Sequence, residues 1–139
     1  MYAYKLGKKS LRKLVGVHPI LAFAVSEAIK LSKVDFGVTD GVRTMARQRK
    51  LVKQGRSKTF RSYHLYGLAA DLVPYVDGNY RWDDPSSFQE IAVAMKKVIH
   101  KHNLPIEWGF EKWGWDMPHW QMTGYRAKYD IRKIDARFA

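Results

Sequence analysis

The chain has 139 residues, of which 46% are hydrophobic and 14% aromatic, enough for one domain with a buried core. It has no cysteine, which excludes a disulfide framework and a thiolate metal site, and its 25 basic residues outnumber 13 acidic ones. No apolar run reaches the roughly 18 residues of a membrane span, and no signal-peptide pattern follows the basic N-terminus, so we expect a protein made in the cytoplasm.

The N-terminal half of the chain predicts two helices with a strand between them. Apolar residues at helical spacing predict the first helix over residues 19–32. Its buried stripe would consist of Leu21, Ala24, Ala28 and Leu31. A strand is predicted over residues 34–39. Thr44 is suited to cap the second helix, which Gly55 would end in the left-handed conformation.

The C-terminal half predicts a hairpin, a long helix and two further strands. Asp77-Gly78 is the turn of the hairpin, and Asp84-Pro85 begins a helix that runs to about residue 102. The strands are predicted over residues 68–76, 80–82, 105–108 and 118–122. This order predicts an α+β fold, a small antiparallel sheet flanked by helices, as one domain over residues 1–124. Residues 125–139 would form a basic C-terminal extension.

The segment at residues 62–71 places a histidine shortly before a buried strand that carries a carboxylate. Gly67 interrupts any helix between His64 and Asp71, so a sharp turn would bring the two side chains together. A carboxylate inside a core strand is costly without a partner. A metal ion held jointly with His64 would supply that partner, and the alternative is a structural ion pair with an arginine.

The segment at residues 116–121 carries a second histidine and a second carboxylate. Pro118 fixes the backbone just before His119, so Asp116 can lie on a turn beside that histidine. The alternative is a surface turn and a histidine packed among tryptophans. Together the two segments supply two imidazoles, one ligating carboxylate and a nearby base, which is the composition of a catalytic zinc site.

The first segment resembles the S-x-H-x-x-G-x-A-x-D signature of the D-alanyl-D-alanine carboxypeptidase and VanY family of zinc peptidases. That family includes the L-alanyl-D-glutamate endopeptidases that phages use as endolysins. The match is position for position, at Ser62, His64, Gly67, Ala69 and Asp71. The second segment reproduces the Asp-x-x-His form of the family's catalytic acid and last ligand. Gly41-Val42-Arg43-Thr44, followed by Gln48, is similar to the family's G-x-R-S/T segment.

The resemblance implies a zinc-dependent peptidoglycan peptidase with a D-Ala-D-Ala peptidase or hedgehog-like single-domain fold. The Zn²⁺ ligands would be His64, Asp71 and His119. Asp116 would act as general base toward a water whose pKa the metal lowers to about 7. Arg43 would steady the oxyanion or clamp a substrate carboxylate. Gln48 and Ser62 would be polar neighbours that orient ligand or substrate.

The resemblance also implies a bond and a biological role. Asp116, in place of the Glu of the carboxypeptidase branch, favours the endopeptidase branch and the L-alanyl-D-glutamate bond. The alternative is a D-alanyl-D-alanine carboxypeptidase. Residues 107–111 depart from the Trp-Gly-Gly-Asp stretch of many endolysin relatives, which leaves substrate detail open. We expect a monomeric lysis protein that acts on bacterial peptidoglycan after holin-type release.

The net charge of +12 bears on the partners of the protein. No acidic residue lies between Arg43 and Arg61, a stretch that carries a dense basic cluster. Such a field attracts nucleic acid, and it equally attracts anionic cell-wall polymer or a membrane surface. No zinc-finger, helix-turn-helix or RNA-binding signature accompanies the charge, so nucleic acid is not expected as a partner.

Overall fold

Helices and short strands alternate along the chain in a computed structural model that describes residues 4–57 and 62–125. The helices are α1 (Lys8–Lys13), α2 (Pro19–Leu31), α3 (Met45–Lys53), α4 (Pro85–His102) and α5 (Gly109–Trp113). The strands are β1 (Phe36–Asp40), β2 (Ala69–Val76), β3 (Asn79–Tyr80), β4 (Ile106–Trp108) and β5 (His119–Met122). A short 3₁₀ helix, Tyr63–Tyr66, precedes β2. The predicted α+β order is confirmed.

The strands form one antiparallel sheet in the order β1-β2-β5-β4, and β3 pairs with the far end of β2. In this register Asp71 of β2 lies opposite His119 of β5 and, on its other side, opposite Asp40 of β1. Directly opposite residues of antiparallel strands have neighbouring side chains on one face of the sheet. The sheet therefore brings together two residues that are far apart in the sequence.

Helices α2 and α4 pack against each other and cover one side of the sheet. The inward-facing residues predicted for α4 are buried, namely Ile91, Ala94, Met95 and Val98. In α2 the prediction fails at Leu31, which is 47% exposed because it lies at the edge of the apolar stripe in the last turn. Val25 and Ile29 complete the buried stripe instead. None of the helices in the described ranges is long and apolar enough to cross a membrane.

Local capping explains why the helices begin and end near their predicted residues. The Thr44 hydroxyl accepts a hydrogen bond from the Arg47 amide, and the Asp84 carboxylate accepts one from the Ser87 amide. Asp77 and Gly78 both have positive φ, at 52° and 81°, which is the backbone of a tight hairpin turn.

The predicted extension over residues 125–139 lies outside the described residues except for its first position. Tyr125 is partly buried against the core, and its ring meets the His18 ring edge-on at 6.0 Å between centroids. The boundary between the domain and its extension stays a prediction.

Candidate metal centre

The 3₁₀ helix and the glycine after it position His64. The Ser62 hydroxyl caps this helix by accepting a hydrogen bond from the His64 amide at 3.2 Å. Gly67 ends it with φ at 70°, and a Cβ at Gly67 would lie 2.3 Å from the Gly16 carbonyl oxygen. The His64 ring is buried, and its Nδ1 lies 2.8 Å from the Gly41 carbonyl oxygen. Because a carbonyl only accepts, Nδ1 carries the proton and Nε2 has its lone pair available.

A chain of hydrogen bonds within the sheet positions His119. Its Nε2 lies 2.8 Å from the Gln121 Oε1, and the Gln121 amide donates to Glu107 Oε1 at 2.7 Å. This chain makes Nε2 the protonated nitrogen and leaves Nδ1 available as a ligand. Sequence analysis did not predict Gln121 or Glu107 as site residues. Two-residue alternation along a strand places Gln121 on the same face as His119, but Glu107 joins it only through the pairing of β4 with β5.

Asp71 lies between the two imidazoles. Its Oδ1 is 3.3 Å from His64 Nε2 and 3.4 Å from His119 Nδ1, and the three ligand atoms lie within 4.8 Å of one another. Oδ1 is buried and has no hydrogen-bond partner among the described residues. Ligand atoms about 2.0–2.2 Å from a tetrahedral zinc are roughly 3.3–3.6 Å apart, so this donor set fits a metal ion. His64, Asp71 and His119 thus form a group that could hold one.

The charges of this group depend on one another. Burial by itself would raise the pKa of Asp71, but attraction to the imidazoles of His64 and His119 outweighs burial and holds that pKa well below its ordinary value. Burial would likewise lower the pKa of His119, yet its contacts with Asp71 and its attraction to Asp116 raise it. The site therefore favours an ionised carboxylate, which is the form that ligates a metal.

Asp116 lies on the turn that leads into β5. Its φ of 67° is left-handed, and its carbonyl accepts a hydrogen bond from the His119 amide at 3.3 Å. The pKa of its carboxyl is raised, mainly by burial and further by the nearby charge of Asp71, although the imidazoles and Arg43 oppose the shift. A carboxyl whose pKa is moved toward neutrality beside a metal centre is suited to general acid–base chemistry.

Arg43 is fixed by partners on two sides. Its Nε donates to Asp40 Oδ2 at 3.0 Å and its Nη2 contacts the same oxygen, while its Nη1 donates to Gln48 Oε1 at 2.8 Å. Its amide also donates to the His64 carbonyl at 2.9 Å, which links it to the metal centre. Gln48 is fully buried and does not line the cleft, so it acts on Arg43 from behind. Asp40 was not predicted as a partner of Arg43.

A cleft of about 670 Å³ opens over the candidate metal centre. Cationic side chains line it on the side of α3 and His64, and they are Lys13, Arg43, Arg47 and Arg56. Tryptophan side chains line it near His119, since the Trp113 ring lies 5.3 Å from the His119 ring. Ser62 and Asp116 also border the cleft. A carboxylate and a candidate metal site thus face one solvent-filled space large enough for a peptide.

Two histidines and a carboxylate that converge on one point, with a second carboxylate in an open cleft, define the class of metallohydrolases. The chain belongs to the family described as phage L-alanyl-D-glutamate peptidase, whose model matches residues 2–134. The family resemblance expected from the motifs is therefore confirmed, and the match continues ten residues beyond the predicted catalytic domain.

Individual relatives agree with this assignment. The chain is 29% identical over 110 residues to the L-alanyl-D-glutamate peptidase of Escherichia phage T5, covering 77% of this chain and 80% of that one. It is 33% identical over 122 residues to the peptidoglycan L-alanyl-D-glutamate endopeptidase CwlK of Bacillus subtilis, covering 76% and 73%. The crystal structure of the Serratia marcescens L-Ala D-Glu endopeptidase ChiX superposes with a TM-score of 0.80 at 38% identity, covering 90% and 93%. The predicted fold class is thereby confirmed.

Proposed function

We propose that the protein is a zinc-dependent peptidoglycan endopeptidase that hydrolyses the amide bond between L-alanine and D-glutamate in the stem peptide. The observation that carries the proposal is the buried Asp71 Oδ1, which has no hydrogen-bond partner among the described residues. It lies between one ring nitrogen of His64 and one of His119, and the other nitrogen of each ring is already hydrogen-bonded. The choice of substrate is supported by the family and by the names of the relatives from phage T5 and Bacillus subtilis.

The metal ligands would be His64 through Nε2, Asp71 through Oδ1 and His119 through Nδ1. Zinc bound there would lower the pKa of a water to about 7 and polarise the scissile carbonyl. The hydrogen bonds to Gly41 and Gln121 keep both rings in the tautomer that ligation requires. No reorganisation of the imidazoles is needed for the metal to enter.

Asp116 would transfer a proton from the attacking water to the leaving amino group. As the attacking water forms its bond to the alanyl carbonyl carbon, the Asp116 carboxylate takes the proton that the water loses. When the carbon–nitrogen bond breaks, the same carboxyl returns that proton to the amino group of D-glutamate. A single residue can do both because burial raises the pKa of this carboxyl above its ordinary value, which brings its acid form closer in free energy to its base form.

Arg43 would present its guanidinium to the developing negative charge or to a substrate carboxylate. Asp40 and Gln48 hold it from behind, so little side-chain entropy is lost when it meets substrate. Arg47 and Arg56 extend the same cationic side of the cleft. The D-glutamate side of the bond carries carboxylates, and we place it along this side. Ser62 supports the site by capping the helix that carries His64.

The phage family supports a proposal about the wider role of the protein. We propose a monomeric lysis protein that reaches the wall after holin-type release, and whose positive charge assists contact with anionic wall or membrane surfaces. Within the described cleft the cations flank a candidate metal centre, an arrangement that favours a hydrolase over a nucleic-acid-binding protein.

Digestion of purified peptidoglycan followed by mass spectrometry tests the bond and the metal together. New L-alanine carboxyl termini and D-glutamate amino termini should be produced while the glycan strands remain intact. Removal of metal by a chelator should abolish the release and zinc should restore it. Release of free D-alanine alone would contradict the proposal and indicate a carboxypeptidase, and full activity after verified metal removal would exclude a metal mechanism.

A further inference from the structure

The two sides of the cleft differ in chemistry. The side next to His64 is cationic, as described above, whereas the side next to His119 presents two tryptophans at the end of α5. We call Trp113 and Trp115 the aromatic wall. Their rings lie 6.0 Å apart, and the ring of Trp113 lies 5.3 Å from that of His119. The aromatic wall therefore begins beside the metal centre and leads away from it.

The fold does not need the aromatic wall for its core. Trp108 and Trp120 serve that purpose, since both are buried and their rings stack at 5.4 Å. Trp113 is 41% exposed and Trp115 is 59% exposed, and both line the cleft. Large aromatic side chains that stay exposed to water lack the favourable free energy of burial. A ligand that covers them gains this free energy as binding energy.

The backbone holds the aromatic wall close to the metal centre. A Cβ at Gly109, the first residue of α5, would lie 2.9 Å from Trp113 Cζ3 and 3.1 Å from His119 Cβ. Glycine thus permits the contact between Trp113 and His119. Lys112 of the same helix contacts Glu107 at 3.1 Å, so its charge is locally balanced. Apart from Asp116, which is assigned to the reaction itself, this side of the cleft presents no unpaired charge among the described lining residues, so it suits an uncharged ligand.

We infer that the aromatic wall binds the N-acetylated sugar to which the stem peptide is attached. This inference rests on the proposed function. The nitrogen of the L-alanine is joined to the lactyl group of that sugar, so the sugar ring begins about two residue lengths, roughly 7 Å, from the scissile carbonyl. A substrate whose D-glutamate side lies along the cationic wall directs its uncharged L-alanine and sugar toward His119 and the aromatic wall.

The chemistry of the sugar suits this surface. A pyranose ring presents a face of C–H groups, which carry partial positive charge and pack against the electron-rich face of an indole. Its hydroxyl and acetamido groups stay at the rim, where they keep their contacts with water. Free stem peptide offers no such group, so the aromatic wall would distinguish substrate still attached to glycan from peptide already released.

Kinetics on a matched pair of substrates test the inference. One is the N-acetylmuramyl peptide, and the other is the same peptide with an acetyl group in place of the sugar. The zinc-loaded wild type should show a higher kcat/KM on the muramyl substrate. Trp115→Ala should lower that preference roughly three- to tenfold, the fold-change that corresponds to one aromatic contact. Trp115→Phe, which keeps an aromatic face, should retain most of it.

Trp82→Ala is the matched control. Trp82 lines the same cleft and is also 59% exposed, but it follows β3 and is not part of the aromatic wall. This variant should keep the wild-type preference. Equal kcat/KM on the two substrates in the wild type, or loss of the preference in Trp82→Ala and not in Trp115→Ala, would overturn the assignment.

A binding measurement separates this inference from the proposed function. N-acetylmuramyl-L-alanine, the sugar-bearing product, should quench tryptophan fluorescence and bind more tightly than N-acetyl-L-alanine, and Trp115→Ala should remove the difference. If that holds while neither peptide is cleaved, the sugar site stands and the proposed reaction fails. If both peptides are cleaved equally and the two products bind alike, the reaction stands and the sugar site fails.

Discussion

At the scale of single residues, the different roles proposed for Asp71 and Asp116 depend on their surroundings. Both are carboxylates near the same imidazoles, but attraction to those imidazoles lowers the pKa of Asp71, whereas burial raises the pKa of Asp116. An ionised carboxylate is suited to ligation, and one that titrates closer to neutrality is suited to proton transfer.

Replacing Asp116 should separate chemistry from metal binding. Asp116→Asn keeps a residue that tolerates the left-handed backbone at this position, so the fold and the zinc content should be retained. Turnover should fall roughly 100- to 10,000-fold, the usual contribution of a general base. Steady-state kinetics with metal analysis by mass spectrometry measure both. Glu111→Gln is the control, because Glu111 is an exposed carboxylate that contacts Lys96. A larger loss in Glu111→Gln than in Asp116→Asn would show that the base is misassigned.

Gln121 should matter for the metal although it does not ligate. Gln121→Leu removes the acceptor for His119 Nε2 and frees that ring to change tautomer. Loss of such a supporting partner lowers metal affinity about 10- to 100-fold. Competition with a chromophoric chelator measures the affinity. Glu107→Gln, one step further along the chain of hydrogen bonds, should have a smaller effect. Wild-type affinity in Gln121→Leu would contradict the role assigned to it.

Sequence analysis could predict that His64, Asp71, His119 and Asp116 lie together, because each belongs to a short motif with characteristic spacing, and their roles stay proposals. It could not predict the partners that orient them. Asp40 reaches Arg43 across a turn, and Glu107 reaches Gln121 only because β4 and β5 pair in one register. The contact between Glu107 and Gln121 is fixed by strand pairing between separate segments, which local patterns do not encode.

At the scale of elements, the three longer helices α2, α3 and α4 were predicted, whereas the short helices and the sheet order were not. Caps and turns such as Thr44, Asp84 and Asp77-Gly78 act on their immediate neighbours, so their residue types reveal helix and hairpin ends directly. The placement of β5 between β2 and β4 depends on contacts formed only in the folded chain. That placement is what sets Asp71 opposite His119.

Gly67 joins the 3₁₀ helix to β2, and Gly67→Ala should damage both stability and metal binding. The substitution meets a positive φ and also the Gly16 carbonyl, 2.3 Å from the new Cβ. Gly55→Ala is the matched control, because Gly55 has a similar φ of 72° with nothing within 4 Å. The control should lose about 1–2 kcal/mol from backbone strain, and Gly67→Ala should lose more. Urea unfolding measures both, and equal losses would show that the contact with Gly16 does not matter.

The cap of α4 should make stability depend on pH. Hydrogen bonds from the Ser87 hydroxyl, then from Ser86 and the Ser87 amide, lower the pKa of Asp84 below its ordinary value of 3.8. Because the folded-state pKa is lowered, the stabilisation is present above pH 3.8 and is lost as the pH falls through the lower folded value. Asp84→Ala should therefore be less stable than wild type at neutral pH, and the difference should narrow in acid.

Thermal unfolding over a pH series measures the effect of the Asp84 cap. Asp83→Ala, which removes the adjacent exposed carboxylate, controls for net charge. A stability difference between wild type and Asp84→Ala that stays constant with pH would show that the capping bonds do not require the ionised form.

At the scale of the whole molecule, the net charge of +12 exceeds what the cleft requires. Five basic residues of the described ranges line the cleft, and other exposed lysines and arginines of those ranges lie outside it. The electric field of a positively charged protein attracts a polyanion as the two approach each other. Salt weakens this attraction, since the screening length is about 10 Å at 0.1 M. Excess charge is therefore suited to reaching an anionic wall, a step separate from cleavage.

The segment after Tyr125 carries part of this charge, as five basic residues against two acidic ones over residues 126–139. Truncation after Tyr125 keeps the contact of that ring with His18. We expect the truncated protein to hydrolyse soluble muropeptides at the wild-type rate but to sediment less with intact walls. The physical reason is that small substrates are bound by the cleft alone, whereas a wall is bound by the summed charge of the molecule.

Salt provides the internal control for this truncation. In a pull-down with purified walls, added salt should reduce the binding of the full chain more than that of the truncated one, until the two converge. The family match runs to residue 134, so a structural role is the competing hypothesis. Loss of turnover on soluble muropeptides, or a lowered unfolding temperature, would assign the segment to the catalytic domain. A difference in wall binding that persists at high salt would likewise exclude charge as its cause.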